Sequence, residues 1–154
     1  MDQLRIRPAD HDDLGAVLDL YRHLDARDIR PTPRQAAESF ARFLLYPGSA
    51  IFLGTVDGLP ACSCTLVVIP NLTRGGRPYG LIENVVTHAE FRQRGYGKAI
   101  LDAATEAAWR EGCYKVMLMT GSKTPATLAF YAAAGFEQSK TGFQKRRLPA
   151  RKEP

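Results

Sequence analysis

The sequence predicts a mixed α/β (α+β) domain built around one layered sheet. Strand-like and amphipathic helical stretches follow one another in the order strand, two helices, hairpin, strand, helix, strand, helix and a closing pair of strands. The chain has 154 residues, of which 45% are hydrophobic. This is enough for one well-formed core and too little for two ordinary domains.

Turn and capping residues delimit the elements of the first half. Residues 4–7 alternate apolar and basic side chains, which predicts a half-exposed strand. Asp10 is placed to cap a helix, and Thr32 is placed to cap a second one. A hairpin with strands over 50–56 and 61–69 follows. The first helix carries an apolar stripe of Leu14, Val17, Leu18, Tyr21 and Leu24.

The second half predicts a central strand that leads into a long helix. Gly135 stands in the C-cap position of the last helix. Ligands of α/β sheets bind beyond the carboxyl ends of strands that diverge, so the turn after the central strand is a plausible cofactor cleft. The predicted elements are a central strand over 81–87, a helix over 94–110, a buried strand over 114–119, a helix over 124–134 and closing strands over 136–138 and 142–147.

Charge and cysteine usage restrict the function class. Most of the formal charge of +5 comes from the last ten residues, which predicts a solvated basic tail over 149–154 after a domain over 1–148. A nucleic-acid partner would more often require a basic face with interleaved aromatic residues, so we expect none. No apolar run reaches membrane-spanning length, and the first residues lack the apolar stretch of a signal peptide, so we expect a cytoplasmic protein without a membrane partner. Three cysteines without a nearby His pair favour buried thiols over a disulfide framework or a metal site; they are Cys62, Cys64 and Cys113.

The most informative stretch is 91–98, which lies between the central strand and the long helix. Its two glycines let backbone amides approach one point, and the first amides of a helix lack internal partners and carry the positive end of the helix dipole. Such a turn suits a phosphate or pyrophosphate, and Arg92, Arg94 and Lys98 add positive charge. The spacing fits neither a P-loop nor the dinucleotide fingerprint, which requires a small residue where Ile100 stands.

The motif that does fit is Arg-x-x-Gly-x-Gly at residues 92–97, which resembles the pyrophosphate loop of the GNAT superfamily of acetyl-CoA-dependent N-acetyltransferases. The pair 82–83 and the stretch 112–115 look most like the glucosamine-6-phosphate N-acetyltransferase branch. Thr124 stands where the family often has Asn, and 120–123 replace an acidic loop of that branch. The family has a later signature, a helix that carries a tyrosine and is followed by Gly-Phe. The residues of this chain that resemble it are Thr127, Leu128, Phe130, Tyr131, Gly135 and Phe136.

This resemblance implies a GNAT-like domain whose mostly antiparallel central sheet is splayed at the cofactor cleft and flanked by helices. It implies an N-acetyltransferase that uses acetyl-CoA as co-substrate and acetylates a primary amine of a small molecule by direct attack in a ternary complex. It also implies a homodimer. A non-catalytic acyl-CoA-binding or sensor domain is the alternative. The resemblance assigns cofactor binding to Val85, Val86, Thr87, Arg92, Gln93, Arg94, Gly95, Tyr96, Gly97, Lys98, Thr127 and Tyr131.

Acetylation requires few catalytic groups. A lysine-type amine has a pKa of about 10.4 and must lose a proton before it attacks. Glu83 is the candidate base, acting directly or through water. The alternative is that Glu83 is an ordinary strand residue that faces solvent. Tyr131 is the candidate acid for the thiolate, and its alternative is a core aromatic residue. A backbone amide near Val85 or Val86, freed by the bulge that the family has in this strand, is the candidate oxyanion donor.

Four other residues are weaker candidates for functional roles. His88 is an alternative base, although a histidine after a strand is more often a hydrogen-bonding cap. Cys113 has no sequence neighbour that would activate it as a nucleophile. Arg74 and Arg77 either bind an acidic group of the substrate or are solvated loop charges.

Overall fold

The computed structural model describes residues 3–150. The chain divides into two compact units, Met1–Thr120 and Gly121–Pro154. None of the helices within residues 3–150 is long and apolar enough to cross a membrane. The first unit contains β1 (Arg5–Pro8), α1 (Leu14–Leu24), α2 (Pro33–Leu44), β2 (Ala50–Val56), β3 (Leu59–Ile69), β4 (Tyr79–Thr87), α3 (Tyr96–Arg110) and β5 (Val116–Leu118). The second contains α4 (Pro125–Ala133), and short 3-10 helices lie at His11–Asp13, Arg74–Gly76 and Ala89–Phe91.

The five strands form one sheet in sequence order, β1-β2-β3-β4-β5. Every neighbouring pair is antiparallel except β4 and β5, which are parallel. The α3 helix connects that parallel pair, as a crossover must. The prediction of a mixed α/β fold with a mostly antiparallel central sheet is therefore confirmed.

Helices cover both faces of this sheet. On one face α1 and α2 contribute to a buried cluster with β2 and β4, whose members are Ala9, Val17, Leu20, Phe40, Ile51, Leu53 and Val86. On the other face α3 buries Ile100, Leu101, Ala104 and Ala108. The thiol of Cys64 on β3 lies 3.6 Å from the carbonyl oxygen of Ile100, which identifies the strand that α3 packs on.

The helix starts follow the capping residues read from the sequence. Asp10 accepts a hydrogen bond in a capping box with Asp13, although the first turn is a 3-10 helix that leads into α1. Thr32 caps α2 in a second capping box with Gln35, and Pro33 is the first helical residue. Both boxes satisfy backbone donors that the first turn of a helix leaves open.

Four predicted elements differ from the structure. The closing strands over 136–138 and 142–147 are wrong, because residues 136–150 contain no strand and most of them are exposed. Polar and basic side chains dominate this segment, so it lacks an apolar face that would favour pairing. The long helix starts at Tyr96 rather than Arg94, because Gln93 and Gly95 both adopt positive φ. The strand predicted over 114–119 is reduced to the three residues of β5.

The three cysteines are free thiols and are buried, as predicted. Burial raises the pKa of Cys62 and Cys64 to about 12, and it also raises the pKa of Cys113, with a smaller contribution from Glu111. All three are therefore neutral near pH 7, which makes them poor nucleophiles. The distal part of the predicted basic tail, 151–154, lies outside the described residues.

Gly54 tests the packing of β2 against β3. A Cβ at this position would lie 2.5 Å from Cys62 Sγ and 3.2 Å from Leu4 Cδ1. We expect Gly54→Ala to lower the free energy of unfolding by about 2 kcal/mol, because overpacking a tight core displaces its neighbours. Urea denaturation measures the change.

Gly15 provides the matched control, since it lies in α1 and a Cβ there would meet no heavy atom within 4 Å. Gly15→Ala should leave stability unchanged or raise it by up to about 1 kcal/mol through helix propensity. Equal effects of the two substitutions would contradict the close approach of β2 and β3.

Candidate active site

The turn between β4 and α3 leaves several backbone N–H groups open. Gly95 is the N-cap of α3 with φ 80°, and Gln93 has φ 61°, so the chain twists twice into the left-handed region just before the helix. The first backbone hydrogen bond into α3 runs from Ala99 N–H to Gly95 C=O, at 3.0 Å. The N–H groups of 96–98 therefore point out of the helix end toward an external acceptor. Gly95 is exposed, and a Cβ there would meet no heavy atom within 4 Å.

The three cations of the turn are each held by a neighbour. Arg92 donates from Nη2 to the carbonyl oxygen of His23 at 3.1 Å and from Nε to that of Thr87 at 3.4 Å. The guanidinium of Arg94 lies 5.4 Å from the ring centroid of Phe91. Lys98 pairs with Asp102 at 2.7 Å. The turn is thus an amide-lined end of a helix with three anchored positive charges around it, which suits a phosphate group.

The β4 strand contains a bulge immediately before this turn. Glu83 pairs with Thr65 and Val86 pairs with Ser63, so three steps along β4 match two steps along β3. The extra residue is accommodated at Asn84, which has φ 51°. Cross-strand partners share a face of the sheet, so the bulge returns Val86 to the face that Glu83 occupies.

Beyond the bulge, β4 has an edge without a strand neighbour among the described residues. The last pair between β4 and β5 is Ile82 with Leu118. Glu83, which is half-buried, is the first β4 residue past that pair, and Val85, Val86 and Thr87 follow it toward the turn. An open strand edge presents N–H and C=O groups that can pair with an extended ligand.

Sequence reasoning missed a hydrogen-bonded group beneath the bulge. Tyr21 of α1 is half-buried, and burial raises its pKa, while hydrogen bonds to the side chains of Thr65 and Asn84 lower it. Thr65 is the buried cross-strand partner of Glu83, and Asn84 is the residue that follows Glu83. Tyr21 therefore ties together the two neighbours of Glu83. The signal was weak, because Tyr21 stands in the apolar stripe of α1 and reads as a core residue.

The second unit carries the remaining candidates, Thr127 and Tyr131, on α4. Thr124 caps the helix, and its hydroxyl lies 2.9 Å from that of Thr127. Ser122 Oγ is 3.2 Å from the same Thr127 hydroxyl. The Thr127 hydroxyl thus takes part in the cap. The ring of Tyr131 is half-buried and stands edge-on to Phe130 and to Phe136, with centroids 5.0 Å and 6.4 Å away.

The Gly-Phe pair that follows α4 ends this helix. Phe136 N–H donates to the carbonyl oxygen of Tyr131 at 3.1 Å, and Gly135 N–H donates to that of Ala132 at 3.0 Å. With φ 90° at Gly135, this is a Schellman motif that ends α4. The predicted C-cap is confirmed.

The weaker candidates for the site are His88, Arg74 and Arg77, and the structure shows the surroundings of each. His88 accepts a hydrogen bond from Glu90 N–H at 3.2 Å and so caps the short helix that follows it, as the alternative for this residue anticipated. Arg74 lies 6.0 Å from the ring centroid of Tyr114, near the start of β4 rather than at its end. Arg77 is exposed.

Comparison with known proteins identifies the family. Residues 17–136 match the Acetyltransferase (GNAT) family. The chain is 33% identical over 135 residues to the glucosamine 6-phosphate N-acetyltransferase of Trypanosoma brucei brucei, covering 86% of this chain and 88% of that protein. This chain belongs to the GNAT acetyltransferase family.

Solved structures show the same fold. A protein of Agrobacterium tumefaciens str. C58, assigned as an acetyltransferase, superposes with a TM-score of 0.88 at 47% identity and covers 93% of this chain and 99% of its own. The glucosamine-6-phosphate N-acetyltransferase of Arabidopsis thaliana superposes with a TM-score of 0.84 over 95% of this chain and 99% of its own. Its sequence identity is 21%, so this similarity supports the fold and not the substrate. The GNAT family assignment makes this chain an N-acetyltransferase that takes the acetyl group from acetyl-CoA and transfers it to an amine.

Asn84 tests the bulge of this GNAT enzyme. Asn84→Gly keeps the positive φ and loses the hydrogen bond to Tyr21, so we expect a loss of about 1 kcal/mol in the free energy of unfolding. Asn84→Val adds a β-branched side chain at positive φ, which should cost roughly a further 1–2 kcal/mol. Urea denaturation of both variants measures this difference. Equal stabilities would mean that the left-handed conformation at position 84 is not required.

Proposed function

We propose that the diphosphate of acetyl-CoA binds at the turn between β4 and α3, and that the pantetheine arm lies along the open edge of β4. The observation that carries this proposal is the continuity of that edge with the unpartnered amides at the start of α3. Pantetheine contains amide groups that can pair with a strand edge as an added strand would. The residues proposed to bind acetyl-CoA are Val85, Val86, Thr87, Arg92, Gln93, Arg94, Gly95, Tyr96, Gly97, Lys98, Thr127 and Tyr131.

Glu83 acts as the general base in this proposal. Its carboxylate lies on β4 at the point where β5 ends, and it is half-buried, so it can accept a proton from the amine directly or through one water. Tyr21 forms hydrogen bonds with the side chains of Thr65, the cross-strand partner of Glu83, and of Asn84, the next residue along β4. A carboxylate held on a rigid strand can be oriented toward a bound amine without a large entropic cost.

The oxyanion and the thiolate require two further groups. A backbone N–H near Val85 or Val86 donates to the developing oxyanion, since the bulge interrupts the regular pairing of β4 there. Tyr131 donates a proton or a hydrogen bond to the departing CoA thiolate. The support for Tyr131 is its sequence context, a tyrosine on α4 four residues before the Gly-Phe helix stop.

The amine attacks the thioester directly in a ternary complex. Each of the three thiols is buried, and the pKa of Cys62 and Cys64 is raised to about 12, so an acetyl-cysteine intermediate lacks an ionised nucleophile near neutral pH. Direct attack conserves all groups: the N–C bond forms, the C–S bond breaks, the amine proton passes to the base, and the thiolate leaves as CoA.

The acceptor is the primary amine of a small molecule, and amino sugars are the first class to test. The Trypanosoma relative acts on glucosamine 6-phosphate, whose amine is on a sugar ring. The stretch 120–123, Thr-Gly-Ser-Lys, stands where that branch carries an acidic loop, so the panel should include neutral and phosphorylated amino sugars, amino acids, polyamines, aminoglycosides and a lysine peptide. Release of free CoA thiol identifies the substrate. Binding of acetyl-CoA without turnover on any of these amines would instead favour a sensor.

Assembly, domain extent and location complete the proposal. The enzyme forms a homodimer, because none of the residues of the apolar helix α4 is buried and Phe143 is 94% exposed. Residues 1–148 form the catalytic domain and 149–154 its basic tail. The protein works in the cytoplasm, where three free thiols stay reduced. Light scattering tests the dimer.

Gly95 tests the anion site. Gly95→Glu combines strain at positive φ with a negative charge at the helix N-terminus, so we expect acetyl-CoA affinity to fall by roughly 100-fold or more, which corresponds to about 2.7 kcal/mol. Titration calorimetry measures the dissociation constant.

Gly76→Glu is the matched control, because Gly76 has a similar φ of 77°, no heavy atom within 4 Å of an added Cβ, and a position before β4 rather than after it. This variant should bind acetyl-CoA as the unmodified protein does. A similar loss of affinity in both variants would point to general destabilisation and contradict the proposed site.

Glu83 and Tyr131 test the proposed chemistry. Glu83→Gln should lower kcat by about 10²-fold or more, the usual contribution of a general base, while leaving the dissociation constant of acetyl-CoA unchanged. Tyr131→Phe should also lower kcat more than it weakens cofactor binding. Steady-state thiol release and calorimetry together separate the two effects. Unchanged kcat in either variant would remove that residue from the mechanism.

A further inference from the structure

The C-terminal end of α1 is tied to the entrance of the anion-binding turn by a single residue. His23 lies in the last turn of α1. Its Nδ1 accepts a hydrogen bond from Ala89 N–H at 3.3 Å, and its carbonyl oxygen accepts one from Arg92 Nη2 at 3.1 Å. The two contacts bracket residues 89–92, which directly precede the amide-lined turn.

A second histidine packs against the first. The ring centroids of His23 and His88 are 3.9 Å apart, with the planes inclined by 41°. His88 Nδ1 accepts a hydrogen bond from Glu90 N–H at 3.2 Å, and the His88 ring contacts Phe91 edge-on at 5.6 Å. Because each Nδ1 is an acceptor, each ring carries its proton on Nε2 and is neutral in this arrangement.

We propose that His23 is a positioning residue for acetyl-CoA binding, whose neutral ring holds the entrance of the turn in the geometry that receives the diphosphate. This inference rests on the proposed placement of the diphosphate at the start of α3. His23 acts through Ala89 and Arg92 and touches neither the cofactor nor the amine. Loss of its Nδ1 acceptor would release Ala89 and, with it, the short helix that leads into Gln93 and Gly95.

The electrostatic surroundings of His23 favour the neutral ring. Burial lowers the pKa of His23, repulsion from the protonated form of His88 and from Arg92 lowers it further, and Glu90 raises it. Glu90 and Arg92 belong to the segment that His23 holds, and His88 directly precedes it. A histidine whose folded pKa is depressed stabilises the folded state above its unfolded pKa of about 6.5, and that contribution is lost as the pH falls through the lower folded pKa.

Protonation of His23 would also convert Nδ1 from acceptor to donor, facing the N–H of Ala89. Two donors in contact repel, and a second positive charge beside Arg92 adds to the strain. The proposal therefore predicts that acetyl-CoA binds more weakly once the pH falls below the pKa of His23 in the folded protein, which lies under the ordinary histidine value of about 6.5.

The experiment measures the dissociation constant of acetyl-CoA by calorimetry between pH 5.5 and 8.0 for the unmodified protein, His23→Asn, His23→Leu and His11→Asn. An asparagine oxygen can accept the Ala89 N–H but does not titrate. We expect His23→Asn to match the unmodified affinity at pH 7.5 and to bind roughly three- to tenfold more tightly than the unmodified protein at pH 5.5. The ratio of the two constants at each pH cancels the titration of the cofactor phosphates.

His23→Leu removes the acceptor and should bind acetyl-CoA several-fold more weakly than the unmodified protein at pH 7.5, and the difference should shrink toward pH 5.5, where protonation removes the same acceptor from the unmodified protein. His11→Asn is the control, because His11 is exposed and lies in the short helix before α1. His11 is therefore at the N-terminal end of α1, whereas His23 is at its C-terminal end. This control should follow the unmodified protein throughout. Unmodified affinity in His23→Leu, or parallel pH profiles for His23→Asn and the unmodified protein, would overturn the positioning role.

Two outcomes separate this inference from the proposed function. If the unmodified protein fails to bind acetyl-CoA, both the proposed cofactor site and this inference are wrong. If the unmodified protein binds and its affinity rises toward pH 5.5 only when His23 is present, the site stands, but His23 acts as a cation for the phosphates rather than as a neutral anchor, and the inference is wrong.

Discussion

Main-chain groups left without internal partners are the feature on which the rest of this structure depends. They occur in two adjoining places, along the edge of β4 beyond Ile82 and at the first turn of α3. Unpaired backbone donors and acceptors are costly when buried, so they persist where water or a ligand can satisfy them. In acetyl-CoA the amide-containing pantetheine arm is joined directly to the diphosphate, so one extended molecule has the groups that both places require in the proposed complex.

The bulge in β4 lies where the open edge begins, next to Glu83 and just past the last pair with β5. The extra residue at Asn84 breaks the pairing with β3 and brings Glu83 and Val86 to the same face of the sheet. Tyr21 holds this irregularity from below through Thr65 and Asn84. The side chains near the bulge thus support the shape of the backbone, and this backbone carries the groups that we propose to bind acetyl-CoA.

The fold could be predicted from the sequence largely because its helix caps are explicit. Asp10, Thr32 and Gly135 each satisfy a local backbone requirement, and local requirements are readable from one stretch of chain. The closing strands failed because a strand needs a partner, and nothing within 136–150 encodes one. Pairing is a property of two distant segments, so a single run of residues specifies it poorly.

In the candidate site, too, local features could be predicted from the sequence, whereas contacts between distant segments could not. The amide-lined turn at 92–98 was readable because glycine spacing and a helix start are local signals. The contacts of Tyr21 with β4 and of His23 with the turn could not be predicted, because each joins residues more than sixty positions apart. In the sequence, Tyr21 and His23 look like ordinary helix residues. The hydrogen bond from Arg92 to the carbonyl oxygen of His23 was likewise invisible, because it joins the turn to a helix 69 positions away in the chain. The pairing of Lys98 with Asp102 is different, since it joins residues four apart on one helix.

The most direct test of this account is a crystal structure of the protein with acetyl-CoA. The account predicts diphosphate oxygens within about 3 Å, ordinary hydrogen-bond distance, of the backbone N–H groups of residues 96–98, with the pantetheine amides paired to β4 after Glu83. A diphosphate bound elsewhere, with the first turn of α3 left to solvent, would contradict it.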